Sequence, residues 1–227
     1  MSSAYYRDLE SISLASFRHS LETGRLLPSE GVLREELAER FAVLRSLGIE
    51  NLHDLSEALR TKKRLQQFAQ QSGLPAEYLT VLRRRAGTYT PRPVPLAKMP
   101  GVADGHIEKL AALGIKDSRQ LWERATQRPA RAELSQQAAV PEEVLLELLK
   151  LSDLVRAPWV GPAFARLLYE SGLDTIAKLS AQAPEALREQ LVATNRRANV
   201  YKAPIPGNED MASWLEMVRQ LPKVLEE

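Results

Sequence analysis

Two short runs of cations are the residues of this sequence that are best suited to bind a ligand. Lysine and arginine side chains neutralise phosphate groups, and arginine can do so with two parallel hydrogen bonds. Residues 60 to 98 include nine basic residues and one acid, a local charge of +8, whereas the whole chain carries +2. The cations of the predicted binding site are Lys62, Lys63, Arg64, Arg83, Arg84, Arg85, Arg92 and Lys98.

The position of each run in its predicted helix decides how it is interpreted. Cations at the end of a helix complement its dipole, which would explain residues 83–85 without any ligand. Cations at a helix start oppose the dipole, so residues 62–64 lack that local explanation. If the two helices pack antiparallel, the six cations share one edge, and the segment 92–98 continues it. This arrangement predicts contact with the phosphates of DNA or RNA. The alternative is that the cations only coat solvated helix ends.

The residue types that perform catalysis or bind metals are not arranged for either purpose. The chain has no cysteine, and His19, His53 and His106 lie in different predicted elements without ligand spacing. No glycine-rich phosphate loop is present. The paired acids Glu35-Glu36 and Glu142-Glu143 fall in first helical turns or on solvated faces, where the helix dipole favours them. We therefore predict a protein that is not an enzyme, with no metal, no cofactor and no small-molecule substrate.

Composition places the chain among ordinary globular proteins. Hydrophobic residues make up 44% of the sequence and charged residues 26%. Residues 1–8 lack the basic and then apolar pattern of a secretory signal, and no apolar run approaches the length of a membrane span. We expect a cytoplasmic protein with no membrane partner.

Part of the sequence is repeated at a fixed interval of 66 residues. Leu47-Gly48-Ile49 returns as Leu113-Gly114-Ile115, and Pro75 returns as Pro141. A third, partial copy follows 58 residues later, where Gly172 takes the place of Gly114. Repeats of this length are structural units that need their neighbours to bury their apolar faces.

The apolar pattern predicts an all-α fold. Apolar residues recur at intervals of three and four, and glycine and proline interrupt the pattern. A first helix is predicted to end at Gly24. A second is predicted to begin after Ser29, as its N-cap, and to end at Gly48. Alternating prolines between Gly87 and Pro95 favour an extended connector between two halves.

Two segments carry a recognisable local motif. The sequences 98–114 and 156–172 each place an apolar turn before a helix, and both resemble the helix-hairpin-helix motif. The resemblance implies that backbone N–H groups at the start of the second helix hold a phosphate oxygen, with Gly101 and Gly161 at the turns. The glycine pattern is incomplete, because Ala103 replaces the second glycine of one hairpin and Trp159 the first glycine of the other. The side chain of Trp159 is expected to hinder the close approach of a nucleic-acid backbone.

Most of the chain is similar to an uncharacterised prokaryotic family, a domain of unknown function built from helix-hairpin-helix repeats. The matching segments are residues 40–49, 73–79 and 152–165, the last of which includes Trp-Val-Gly-Pro. The resemblance implies an all-helical fold and implies no activity.

The repeat, the connector and the hairpins together predict four regions. Residues 1–87 form an N-terminal helical repeat domain with a degenerate first hairpin, and 88–97 form the Pro-rich connector. Residues 98–194 contain two helix-hairpin-helix-like units, so that tandem repeats occupy two halves. Residues 195–227 form a polar arm and a C-terminal helix.

The sequence leaves two functions open. The first is non-enzymatic, sequence-independent binding of DNA or RNA through phosphates by the cations and hairpin glycines named above. The second is a protein–protein adaptor, in which the repeats are a scaffold and a protein partner docks on the polar arm near Tyr201 or on the last helix. The uneven charge favours the first function, and the incomplete glycine pattern favours the second.

Overall fold

The polypeptide folds into α-helices and short 3-10 helices. The computed structural model describes residues 5–226. These residues contain no β-strand, and their extended backbone forms two isolated bridges. The prediction of an all-α fold is therefore confirmed. No helix in this part of the chain is long and apolar enough to cross a membrane. The prediction that residues 1–8 form no secretory signal lies partly outside the described residues.

The chain divides into two compact units. One, the N-terminal unit, is Asp8–Thr90. The other, the C-terminal unit, begins at Pro91 and also includes the described residues before Asp8. Each unit has its own hydrophobic core. The structure of each unit is described separately below.

The N-terminal unit contains five α-helices, with a 3-10 helix between the first two and another at its end. They are α1 (Leu14–Thr23), the 3-10 helix Pro28–Arg34, α2 (Leu37–Ser46), α3 (Leu52–Ala58), α4 (Lys62–Ser72), α5 (Ala76–Ala86) and the 3-10 helix Gly87–Tyr89.

The first predicted helix ends at Gly24 as predicted, whereas the second differs from the helices observed. Helix α1 begins at Leu14 because the hydroxyl of Ser13 caps it, accepting a hydrogen bond of 3.0 Å from the N–H of Ser16. The second predicted helix, from Ser29 to Gly48, is divided into the 3-10 helix and α2. The division falls at Glu36, whose left-handed φ of 45° no α-helix accommodates.

The described part of the C-terminal unit contains eight α-helices. After the 3-10 helix Leu96–Lys98 these are α6 (Asp104–Ala112), α7 (Ser118–Ala125), α8 (Arg128–Ala138), α9 (Glu142–Leu154), α10 (Pro162–Glu170), α11 (Ile176–Ser180), α12 (Pro184–Ala198) and α13 (Asn208–Arg219). Helix α12 is longer than predicted, so the first four residues of the predicted arm are helical. It ends at Asn199, which adopts a left-handed φ of 52°.

The bounds of the helices follow the 66-residue interval of the sequence. Helices α4 and α8 are each 11 residues long, and their first residues are Lys62 and Arg128. Helices α5 and α9 begin at Ala76 and Glu142. The N-caps of α3, α7 and α11 are Asn51, Asp117 and Thr175, at the intervals of 66 and 58 residues seen in the sequence.

Three glycines end the helices α2, α6 and α10 in the same way. Gly48, Gly114 and Gly172 have left-handed φ values of 82°, 81° and 75°. In each copy the N–H of the following residue donates to a carbonyl five residues earlier, as from Ile115 to Leu110 at 3.0 Å. This is the hydrogen bond of a Schellman motif, which needs a residue that tolerates positive φ.

Helix α13 contributes its apolar stripe to the core of the C-terminal unit. Its buried residues are Met211, Trp214, Leu215 and Val218, followed by Leu221. The apolar face of the last helix, on which the adaptor hypothesis would dock a partner, is therefore interior.

Candidate nucleic-acid interface

The first cationic run lies in the first turn of α4. Thr61 caps this helix, accepting from the N–H of Arg64 at 3.1 Å, and the side chains of Lys62, Lys63 and Arg64 are exposed. The guanidinium of Arg64 donates to the backbone carbonyl of Glu57 at 2.9 Å and to its carboxylate at 3.1 Å.

The contact of Arg64 explains one cation at this helix start. Glu57 lies in the last turn of α3, where unpaired carbonyls carry partial negative charge, so Arg64 complements the end of α3 rather than the start of α4. Arg60 also pairs with the carboxylate of Glu57, at 3.5 Å. Lys62 and Lys63 have no ion-pair partner among the described residues. Two of these four exposed cations therefore share the carboxylate of Glu57, and the two lysines pair with no carboxylate of the described residues.

The second cationic run is largely engaged inside the N-terminal unit. Arg85 is 5% exposed and lies 3.5 Å from the carboxylate of Glu30, which is 2% exposed. Arg84 is exposed and donates to the carbonyl and the hydroxyl of Ser29, both at 3.3 Å. Arg83 is half-buried. Because Arg85 is interior and paired, it is not accessible to a phosphate.

The contacts of the two runs are with different elements. Helix α4 packs against α5. Arg64 contacts α3, however, whereas Arg84 and Arg85 contact the 3-10 helix Pro28–Arg34. Arg92 and Lys98 are exposed and belong to the C-terminal unit. Arg60 and Arg64 are cations that the structure brings to the same carboxylate, that of Glu57.

Gly101 is required for packing in the first hairpin. Its φ is +88°, and a Cβ atom placed there would lie 2.5 Å from Nη2 of Arg166. The guanidinium of Arg166 is buried against this turn, where its Nε donates to the carbonyl of Pro100 at 2.8 Å, and it pairs with Glu147 and Glu170. A glycine is therefore needed both for backbone conformation and for space.

Trp159 occupies the corresponding position of the second hairpin. Its φ is +63°, in the left-handed region that favours glycine, and its side chain is 55% exposed. The carbonyl of Pro158, 58 residues after Pro100, accepts a buried hydrogen bond of 2.9 Å from the indole of Trp214. The turns before α6 and α10 thus share two features. Each contains a residue with a left-handed φ, and in each the carbonyl of the preceding proline accepts a hydrogen bond from a side chain.

Gly161 is not required for its conformation. It is the N-cap of α10 with an extended backbone, φ −88°, and the corresponding residue Ala103 is the N-cap of α6 with φ −67°. Alanine and glycine are equally compatible with this conformation. The first turn of α6 contains Asp104, whereas that of α10 contains no acid, so the amides of α10 are the more favourable for an anion.

The most enclosed charged group of the C-terminal unit was not singled out by the sequence. Arg156 is fully buried and donates to the carbonyls of Tyr5 and Pro222, both at 2.8 Å. It pairs with Asp153, and its guanidinium lies 4.3 Å from the ring centroid of Trp122. The spacing of Asp153 and Arg156, three residues apart at the end of a predicted helix, was the available signal.

Asp153 links this ion pair to another helix. Its second carboxylate oxygen accepts from the N–H of Ile176, the first residue of α11, at 2.7 Å. Burial raises the pKa of Asp153, opposed by the charge of Arg156, and burial lowers the pKa of Arg156, opposed by the charge of Asp153. Every guanidinium nitrogen of Arg156 donates a hydrogen bond within the protein. The Asp153–Arg156 pair therefore stabilises the packing and is not accessible to a ligand.

Residues suited to bind a metal are not clustered in the described part of the chain. No group of three or more His, Asp or Glu side chains there could hold a metal ion.

Comparison with known proteins assigns the family. Residues 100–221, from the first hairpin to the end of the α13 stripe, match the family described as Domain of unknown function (DUF4332). This match covers 122 of the 227 residues. The chain belongs to the DUF4332 family. No curated protein and no solved structure matches it.

The DUF4332 match lies within the C-terminal unit. It includes Gly101, Trp159 and Gly161, and it excludes both cationic runs of the N-terminal unit. The predicted resemblance to a family of unknown function is confirmed. Its prokaryotic range and its construction from helix-hairpin-helix repeats stay predictions.

Proposed function

We propose that this protein binds DNA or RNA without sequence preference, through backbone phosphates, and catalyses no reaction. The observation that supports this most directly is the group of exposed cations at the junction of α3 and α4. Arg60, Lys62, Lys63 and Arg64 lie within five residues. The two arginines pair with the carboxylate of Glu57, and the two lysines have no ion-pair partner in the described structure. A net positive surface of this kind attracts phosphates and releases their counterions.

The set of proposed binding residues is smaller than the sequence suggested. Arg85 is left out because it is interior. Arg84, Arg92 and Lys98 stay in the set because they are exposed. Arg83 also stays in it, since its side chain is only half-buried. We place Lys62 and Lys63 at its centre, since their ammonium groups have no internal partner in the described structure.

We further propose that the C-terminal unit contains two helix-hairpin-helix-like elements. This is supported by the left-handed residues Gly101 and Trp159 at corresponding turns, each followed two residues later by the N-cap of a helix. The first-turn amides of α10 would then assist phosphate binding, whereas Asp104 disfavours an anion at α6.

A protein–protein adaptor is the second candidate function. It is favoured by the carbonyls of Pro100 and Pro158, which accept hydrogen bonds from the side chains of Arg166 and Trp214. Hairpins that are bonded internally in this way serve as packing modules. The buried stripe of α13 offers no surface to a partner, so an adaptor would use other exposed residues.

The test is the fluorescence anisotropy of labelled double-stranded and single-stranded DNA and RNA, titrated with the full chain at low and near-physiological salt. We expect micromolar binding that weakens with salt, at a slope of about −0.9 per phosphate contacted on duplex DNA. Changing both Lys62→Glu and Lys63→Glu should weaken binding at least about tenfold, since two attractive charges become repulsive.

The matched control is Arg18→Glu with Arg45→Glu. These exposed arginines lie in the same unit, on α1 and α2, and the variant makes the same change in net charge. It should bind nearly as the unchanged protein does. Absence of binding at low salt, or equal loss in both variants, contradicts the proposal and leaves the adaptor.

A further inference from the structure

A second cationic surface lies at the end of α12 and in the segment after it. Arg196, Arg197 and Lys202 are exposed, and the chain contains no acid from Gln190 to Asn208. We call residues 195–208 the α12 arm. The negative end of the helix dipole favours Arg196 and Arg197, but it gives no reason for Lys202, which lies beyond the helix.

The conformation of the α12 arm is fixed by its own hydrogen bonds. The side-chain amide of Asn195 donates to the carbonyl of Tyr201 at 2.8 Å and accepts from its N–H at 3.0 Å. Asn199 turns the chain with a left-handed φ of 52°, and its side chain accepts from Lys202 at 2.7 Å. The backbone that carries the three cations, the last turn of α12 and the turn after it, is therefore held in a defined conformation.

An aromatic cluster places the α12 arm beside the second hairpin. The ring of Tyr201 lies 5.0 Å, centroid to centroid, from that of Phe164 in the first turn of α10. Phe164 in turn lies 5.9 Å from Trp214, whose indole is bonded to the hairpin carbonyl of Pro158. The arm and hairpin 158–161 thus pack on the same group of rings.

Trp159 adds an exposed aromatic ring to the surface formed by the arm and hairpin 158–161. The hairpin presents a large aromatic ring, 55% exposed, from a backbone conformation in which the first hairpin uses glycine. The hairpin thus presents an exposed indole ring, and the arm that packs on the same group of rings carries three exposed cations. An exposed aromatic side chain beside cations is the combination that binds single-stranded nucleic acids, in which bases stack and phosphates are neutralised.

We infer that hairpin 158–161 and the α12 arm bind single-stranded nucleic acid, with Trp159 stacking on a base and Arg196, Arg197 and Lys202 contacting phosphates. This surface lies inside the DUF4332 region. It shares no residue with the cations of α4, so its test is independent of the one proposed for them.

The experiment titrates the full chain with labelled twelve-nucleotide oligo-dT and oligo-U and follows both anisotropy and intrinsic fluorescence. Trp122 and Trp214 are buried, so quenching by the oligonucleotide reports mainly on Trp159. We expect quenching and salt-sensitive binding by the unchanged protein. Each phosphate contact on a single strand contributes about 0.7 to the salt slope. Changing both Arg196→Ala and Arg197→Ala should therefore reduce the slope by about 1.4.

Trp159→Gly separates binding from folding. Glycine suits the left-handed backbone, so this variant should stay folded and unfold cooperatively on heating, while its affinity falls at least about fivefold through lost stacking. The charge control is Arg124→Ala with Arg128→Ala, two exposed arginines on α7 and α8. Its affinity and salt slope should stay unchanged.

Three results of these oligonucleotide titrations would overturn the inference. They are an unquenched tryptophan signal at low salt, full affinity in Trp159→Gly, and equal losses in the arm variant and the charge control. Polyglutamate serves as a competitor without bases. If it displaced the oligonucleotide at equal charge concentration, the surface would bind acidic peptide and the assignment to nucleic acid would be wrong.

Discussion

Gly101 and Trp159 occupy the same position in two hairpins but meet different surroundings. At Gly101 the guanidinium of Arg166 fills the space that a side chain would need. Trp159 adopts the same left-handed region and directs its ring outward, 55% exposed. Residue type at this position is thus decided by what packs against the turn, and the missing glycine does not alter the hairpin backbone.

This difference predicts unequal costs of two alanine substitutions. Gly101→Ala should destabilise the protein by about 1–3 kcal/mol more than Gly114→Ala, because both lose a favoured left-handed glycine but only the first forces an overpacked contact. A Cβ atom at Gly114 meets nothing within 4 Å. Denaturant unfolding measures both. Equal losses would show that Arg166 moves aside without cost.

At the scale of elements, the first N–H groups of corresponding helices donate to different kinds of acceptor. The N–H of the first residue of α3 donates to the carbonyl of Ile12, and that of α7 to the carbonyl of Val94. At α11 the carboxylate of Asp153 takes this role for Ile176. Because a carboxylate replaces a backbone carbonyl, the third copy needs a buried cation, which Arg156 supplies.

Removing that cation should be costly. Arg156→Met leaves Asp153 buried without a counter-charge, and we expect a loss of about 3–5 kcal/mol in the free energy of unfolding. The control Arg124→Met changes an exposed arginine of α7 and should lose less than about 0.5 kcal/mol. Similar losses in both, measured by denaturant unfolding, would mean that the Asp153 site admits water.

The contact between α9, α11 and the turn before α11 should depend on pH. Partial burial of Asp174 favours the neutral acid, but hydrogen bonds from Lys150 and Lys178, each 2.7 Å, outweigh it and hold the pKa of Asp174 below its usual value. A lowered carboxyl pKa in the folded state adds stability above the unfolded pKa, about 4. That contribution is lost as pH falls through the folded pKa.

Asp174→Asn should therefore lower the melting temperature at pH 6 to 7, and its difference from the unchanged protein should shrink as pH falls from about 4 to 3. Melting followed by circular dichroism across this range is the measurement. A difference that stays constant with pH would indicate that packing, and not charge, holds the turn.

At the scale of the whole molecule, the two proposed binding surfaces lie in different units. The cations of α4 belong to Asp8–Thr90, outside the DUF4332 match, whereas the α12 arm and the second hairpin lie inside it. Binding through the α4 cations would thus be a property of this chain's N-terminal unit. Binding through the arm would belong to the DUF4332 region itself.

The local features of the fold were available in the sequence. Intervals of 66 and 58 residues place the helix caps Asn51, Asp117 and Thr175, and the same intervals relate the glycines that end α2, α6 and α10. These features depend on short-range rules, since a cap or a left-handed glycine is satisfied by atoms within a few residues. The sequence therefore determined the all-α class and much of the helix order.

The candidate site depended on contacts that only the tertiary structure decided. Glu30, the partner of Arg85, lies 55 residues before it, and the Pro100 carbonyl bound by Arg166 lies 66 residues away. A cation's availability depends on whether folding brings a carboxylate or carbonyl to it, and no local pattern encodes such a meeting. The sequence thus located the charges, and tertiary packing determined which of them stay exposed.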